Sequence, residues 1–229
     1  MIKKIILLLA IVGPFGLYFL YSWLLKLEKK KIPILKLTIA SIILLIIALG
    51  FLRFSAGFDL AVMKSGEGPA REMLRSGVEL FLRCYSFPRP VIAACNGHAL
   101  AAGAILLMSC DLRIGTKGEF KIGLPELAIG MSLPLFATEL AKDRISKRHF
   151  TKATALGSTF NPEEACDAGF LDEIVNEDEL LSTALDRAES LKAIGKTQLS
   201  LTRSTTRGET IRKIRDTLED DLSRFVVKQ

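Results

Sequence analysis

From Pro90 to Cys95 the chain reads Pro-Val-Ile-Ala-Ala-Cys, a short apolar run closed off by Asn96-Gly97. A run this short, bounded by turn residues, is expected to be a strand buried on both faces. After the turn, Ala101, Ala102, Gly103 and Ala104 lead into Ile-Leu-Leu-Met, an apolar segment of the length of a buried helix. A second strand is expected over Asp111 to Gly115, and a Gly-Leu-Pro-Glu turn ends at Glu126. Small residues at a helix start let another backbone or a ligand come close. The first turn of a helix also offers free N–H groups and the positive end of its dipole. In chemical terms the stretch supplies an anion-stabilising backbone site and one carboxylate. That pairing suits removal of a proton from a carbon beside a carbonyl.

Five blocks extend the pattern: FSAGFDL (Phe54 to Leu60), PVIAACNGHALAAG (Pro90 to Gly103), CDLRIG (Cys110 to Gly115), IGLPELAIGM (Ile122 to Met131) and NPEEACDAGFLDEIV (Asn161 to Val175). In this order and spacing the chain resembles the crotonase superfamily, which contains enoyl-CoA hydratases and isomerases, over roughly residues 54–229. The resemblance implies an α/β domain built as a spiral of ββα units with C-terminal helices, arranged as a homotrimer. It implies an acyl-CoA substrate and no cofactor beyond the coenzyme A that the substrate carries. One oxyanion-hole N–H falls on Phe58 and the other on Ala102, a position where the family usually has glycine. Ala56, Gly57, Phe58, Asp59 and Ala102 would contact the substrate, and Glu126 matches a catalytic glutamate. Taken singly, these residues also read as an ordinary strand–turn–helix corner, a plain buried helix start and a surface carboxylate after a turn proline.

Hydratases of that family carry a further glutamate just after the small-residue run, where this chain has Ile105. Met131-Ser132-Leu133-Pro134, where some members keep another acid, has none. The resemblance therefore implies isomerisation of a C3 double bond to C2, with Glu126 removing a proton at C2 and returning it at C4. An acyl-CoA-binding pseudoenzyme tethered to a membrane, or a hydratase, is the alternative.

The chain carries a net charge of +6. Through Arg53 there are eight basic residues and one acidic, and beyond it 23 basic and 24 acidic, so the basicity is confined to the front. A nucleic-acid partner is not expected. The four cysteines (Cys84, Cys95, Cys110, Cys166) form no C-x-x-C pair and read as reduced packing residues. His98, beside Asn96-Gly97, reads as a satisfied turn histidine and His149 as a surface residue. No spacing suggests a metal site.

Residues 5–25 are 21 uncharged, mostly apolar positions, roughly 31 Å as a helix and enough to cross a bilayer core. Tyr18, Tyr21 and Trp23 near one end fit an aromatic belt. No small-x-small site follows that would mark a cleaved signal peptide. Residues 37–52 give 16 more such positions, read as a second membrane helix, with a helix lying in the interface or packed on the following domain as the alternative. Residues 1–53 are thus expected to anchor the chain, with a crotonase-like domain over 54–229 whose first strands are missing. The five lysines between Lys26 and Lys36 favour placing that loop inside. Acyl-CoA chemistry favours placing the domain on the cytoplasmic side, and that placement is the one expected.

Elsewhere Lys64 to Pro69 reads as a loop, and Ala70 to Tyr85 as an amphipathic helix decorated by Arg71, Arg75 and Arg83. Helices are expected over Leu133–Lys142, Ser146–Leu156, from Asn161 to Gly169, over Glu177–Ile194 and over Glu209–Val227, with a strand at Leu171–Val175. Lys196, Arg203, Arg207, Arg212 and Lys213 read as a solvated face, with contact to a CoA 3′-phosphate as the alternative.

Overall fold

The computed structural model describes residues 46–47 and 53–224. The apolar run 5–25 and most of 37–52 lie outside the described residues. Among the described residues no helix is long and apolar enough to cross a membrane.

Two four-stranded sheets are fed alternately by the chain. The first, in the order β1 (Ile46–Ile47), β3 (Ile92–Cys95), β5 (Leu112–Thr116), β8 (Glu173–Val175), is parallel throughout. The second, in the order β2 (Arg53–Ser55), β4 (His98–Leu100), β6 (Ile122–Gly123), β7 (Thr159–Phe160), is parallel except for its last pair. The first three turns of the spiral each give a strand to the first sheet, then one to the second, then helix, and the last reverses this, with β7 in the second sheet, α6, and then β8 in the first. The crotonase-like ββα architecture is therefore present.

β1 corrects the reading of residues 37–52 as a helix. Ile46 and Ile47 pair in parallel with Ala93 and Ala94. A strand of a helix-covered parallel sheet and a membrane helix draw on the same apolar residues, so composition does not separate them. The spiral consequently begins earlier than residue 54, and a first-sheet strand expected to be missing is there.

Helix α1 (Leu60–Lys64) and helix α2 (Glu67–Tyr85) leave only Ser65-Gly66 of the expected loop. Pro69 sits in the first turn of α2, where a missing N–H costs nothing. The face of α2 carrying Leu74, Val78, Phe81 and Leu82 is buried in the core. Helix α3 (Ala102–Ser109) is buried on every side, which accounts for its having no polar stripe. Helices α4 (Leu135–Arg144), α5 (Lys147–Ala153) and α6 (Pro162–Ala168) follow. Asn161 and Glu164 cap α6 reciprocally, at 2.8 and 3.2 Å, and Gly169 ends it at φ 102°.

The expected helix over Glu177–Ile194 is a 3₁₀ turn (Glu177–Glu179) followed by α7 (Leu180–Ser190). The last helix, α8, runs from Lys196 to Arg224, well ahead of the expected start at Glu209. Its first half, rich in Ser, Thr and Gly, is a poor helix former, and tertiary contacts hold it. Arg203 and Arg207 both reach Asp111, Arg207 at 2.8 Å. Arg207 also donates to the Tyr85 carbonyl at 2.8 Å and stacks 4.4 Å over the Tyr85 ring. Arg203 is only 6% exposed. These two arginines are structural rather than a solvated face, because their charge is spent inside the molecule.

Candidate active site

Three adjacent parallel strands, β2, β4 and β6, end on the same side of the second sheet, and each expected site residue lies just past one of them. Phe58 follows β2, Ala102 follows β4 and Glu126 follows β6. Open α/β sheets bind ligands beyond such carboxyl ends. The register draws the three exits together, with Ser55 opposite Ala99 and Leu100 opposite Gly123. The Ala101 N–H also donates to the Gly123 carbonyl at 3.0 Å.

Small residues let the first two exits interlock. Gly57, at φ 108°, accepts a bend that side chains resist, and its N–H donates to Ser55 Oγ at 3.3 Å. A Cβ placed on Gly57 would come within 3.1 Å of the Ala101 Cβ and 3.6 Å of the Ala102 nitrogen. One placed on Gly103 would fall 2.4 Å from the Ser55 carbonyl oxygen. Phe58 turns its ring over Gly77 of α2, 6.2 Å from the ring of Phe81. Ala101 stands at φ 51°, ψ −120°, the one positive-φ residue other than glycine among the described residues. The Phe58 and Ala102 N–H groups have no acceptor among the described residues. Two unpaired amides on touching segments can together receive one oxyanion.

Glu126 opens a 3₁₀ turn (Glu126–Ile129) behind Pro125, and Gly130 closes it at φ 74°. The side chain is 6% exposed, and its Oε2 meets no hydrogen-bond donor. Burial disfavours the carboxylate and pushes its pKa up to about 7, against the opposing pull of a hydrogen bond from its own N–H. A carboxyl group in that state can both take and return a proton near neutrality. Ile105, in the first turn of α3, is an apolar side chain and is 2% exposed.

Ala56 is exposed at the turn, whereas the Asp59 carboxylate is occupied as the N-cap of α1, accepting from Ala61 N–H at 2.8 Å. His98 Nδ1 accepts from Lys121 N–H at 2.9 Å, and the ring meets Phe120 edge-on. It is satisfied in its turn. His149 is half-buried, its ring against Phe160 with 16% of the side chain exposed. The four cysteines are free thiols. Among the described residues no group of His, Cys, Asp and Glu side chains is placed to hold a metal ion.

One part of the site was missed in the sequence. A cavity of about 460 Å³ opens beside the Glu126 turn, lined by Leu127, Leu133 and Ala155 with Ser132, Thr138 and Thr154. Leu127 is 42% exposed directly after the buried Glu126, a contrast that only the folded structure shows.

Residues 43–225 match the sequence model of the enoyl-CoA hydratase/isomerase family. The chain is 33% identical over 175 residues to mitochondrial enoyl-CoA delta isomerase 1 of Mus musculus, covering 75% of this chain and 60% of that protein. It is 31% identical over 140 residues to a crotonyl-CoA hydratase of Syntrophomonas wolfei, covering 61% of this chain and 54% of that protein. Human mitochondrial delta3-delta2-enoyl-CoA isomerase superposes with a TM-score of 0.83 at 27% identity, over 93% of this chain and 81% of that one. An enoyl-CoA hydratase from Mycobacterium ulcerans gives 0.79 at 35% identity, over 93% and 90%. The chain spans 58–60% of the length of the three mammalian isomerases it matches.

Proposed function

This chain belongs to the enoyl-CoA hydratase/isomerase family, and on that basis we propose that it moves the double bond of an enoyl-CoA from C3 to C2. The thioester oxygen lies between the Phe58 and Ala102 N–H groups, at the turn formed by Ala56, Gly57 and Asp59. The Glu126 carboxylate removes a proton from C2, and the electron pair flows into a dienolate whose oxygen charge the two amides stabilise. Protonated Glu126 then delivers the same proton to C4, leaving the double bond at C2. No atom is gained or lost, so no cofactor is needed beyond the coenzyme A of the substrate.

The observation that carries this reading is a buried Glu126 with one unpartnered oxygen and a pKa of about 7, in a chain that has Ile105 where the family's hydratases carry a second glutamate. One acid suffices to shuttle one proton, whereas oriented addition of water calls for a second. The Leu127–Leu133–Ala155 cavity suits the acyl tail.

The test is an assay of the purified full chain with 3-enoyl-CoA and 2-enoyl-CoA, alongside Glu126→Gln. Isomerisation lost by roughly two to four orders of magnitude in the variant is the expected result. Glu126-dependent addition of water to 2-enoyl-CoA would overturn it in favour of a hydratase. Tight binding of the ester without turnover would leave an acyl-CoA-binding module. We further propose a homotrimer, to be checked by light scattering. Attachment to the membrane through the apolar run at 5–25, with the family domain on the cytoplasmic side, is to be checked by fractionation and protease protection.

A further inference from the structure

A second cavity, of about 440 Å³, lies between α4 and α8 and shares Ser132, Leu133 and Thr138 with the one beside the Glu126 turn. The two therefore make one trough. It is apolar at the Leu127 end and charged at the far end, where Glu139, Lys142, Lys213, Asp221 and Arg224 meet. The carboxylates there are already engaged. Glu139, 8% exposed, accepts at one oxygen from Lys142 Nζ at 2.6 Å and Lys213 Nζ at 3.0 Å. Burial works to raise its pKa, but the two ammonium groups outweigh this, so it remains ionised. Asp221 accepts from the Leu135 and Phe136 N–H groups at 3.0 and 3.1 Å, supplying the cap that Pro134 cannot give α4.

Against these two negative charges stand three positive ones. Arg224 makes no ion pair or hydrogen bond among the described residues. A trough that starts beside the turn carrying Glu126 and ends where three cations face two carboxylates fits a chain with a negative far end. A methyl-ended chain would leave Arg224 and the lysines without a gain.

Resting on the isomerase reading above, we propose that the preferred substrate is an enoyl-CoA whose acyl chain ends in a carboxylate, received by Arg224, Lys142 and Lys213. The acyl carbons lie along Leu127 and Leu133, and the terminal carboxylate replaces water on the free faces of the three cations. A free fatty acid lodged in the same trough has the same chemistry, and the experiment separates the two.

The test compares 3-enoyl-CoA esters of equal length, one ending in carboxylate and one in methyl, across a series of chain lengths. The ratio of their kcat/KM values is expected to favour the carboxylate by about threefold to tenfold at the best length, and to fall as salt is raised. Arg224→Gln and Lys142→Gln should each bring the ratio toward one. A ratio of one or below at every length, or a ratio unmoved by both substitutions, overturns the proposal. So does inhibition by free decanoate that depends on Arg224 without any preference between the esters, since the trough would then hold a separate ligand. Binding of both esters to the Glu126→Gln chain is measured in parallel. A preference for the carboxylate there supports the tail site even if isomerisation fails, and its absence overturns the tail site even if isomerisation holds.

Discussion

Two carboxylates of this molecule sit in opposite surroundings. Asp111, just ahead of β5, accepts from Val91 N–H at 2.6 Å, from Arg207 at 2.8 Å and from Arg203. Glu126, just past β6, is more deeply buried, and one of its oxygens has no donor at all. The first is a tie that binds the last helix to the strand layer. The second is free to change its protonation. Cations and amides are concentrated where the fold needs an anchor and withheld where proton transfer needs a loose acid.

Removing each carboxylate should therefore damage different properties. Glu126→Gln is expected to cost roughly two to four orders of magnitude in kcat, while stability at pH 8 holds or rises because an unpartnered buried charge is gone. Equal losses of activity and stability would mean that Glu126 is structural after all. Asp111→Ala is expected to cost about 3–5 kcal/mol in denaturant unfolding, because it strands two buried guanidinium groups. A cost under about 1 kcal/mol would show that the arginine cluster is a solvated ornament and that helix propensity holds α8.

The contrast sharpens with pH. Glu126 has a pKa near 7 in the folded chain against an ordinary 4.5, so the folded state holds this proton more tightly than the unfolded one. The resulting stabilisation is complete below about pH 4.5 and is lost as pH rises through about 7. Its size is on the order of 3 kcal/mol. In the proposed mechanism the base is the deprotonated form, so kcat/KM should climb over the same interval and level off above about pH 7. Stability and activity thus move in opposite directions across one titration, and Glu126→Gln should flatten the stability change. A kcat/KM profile flat from pH 5 to 8 would remove Glu126 as the base.

What the sequence made legible follows the range of the signals. β3, α3, β5 and the Glu126 turn are written in short runs bounded by Pro90, Asn96-Gly97 and Pro125, so local chemistry suffices to find them. The Asn161 cap and the Gly169 stop are equally local. β1 was hidden because its isoleucines sit in a run that equally suits a lipid environment. The early half of α8 was hidden because its partner Asp111 lies 92 and 96 residues from Arg203 and Arg207, and arginines look solvated until their partner is known. The capping of α1 by the Asp59 side chain is a local signal that the family block around it does not spell out. The far end of the trough joins α4 to α8, which no local window spans.

The smallest expected effect concerns the turn that presents the Ala102 amide. Ala101 is held at φ 51°, ψ −120°, a conformation that costs a residue with a Cβ on the order of 1–3 kcal/mol. Glycine would remove that strain but give back about 0.4–1 kcal/mol through the added freedom of the unfolded chain. Ala101→Gly should therefore raise stability by about 1 kcal/mol, read as a small rise in the unfolding midpoint. The Ala101 N–H keeps its bond to the Gly123 carbonyl in this variant, and Gly57 still closes against the turn, so kcat should change by less than about twofold. A loss of turnover beyond tenfold with stability raised would assign the strain a different role. The methyl of Ala101 against Gly57 would then be what aims the amide of Ala102, and the interlock of the β2 and β4 exits would belong to the chemistry as much as to the packing.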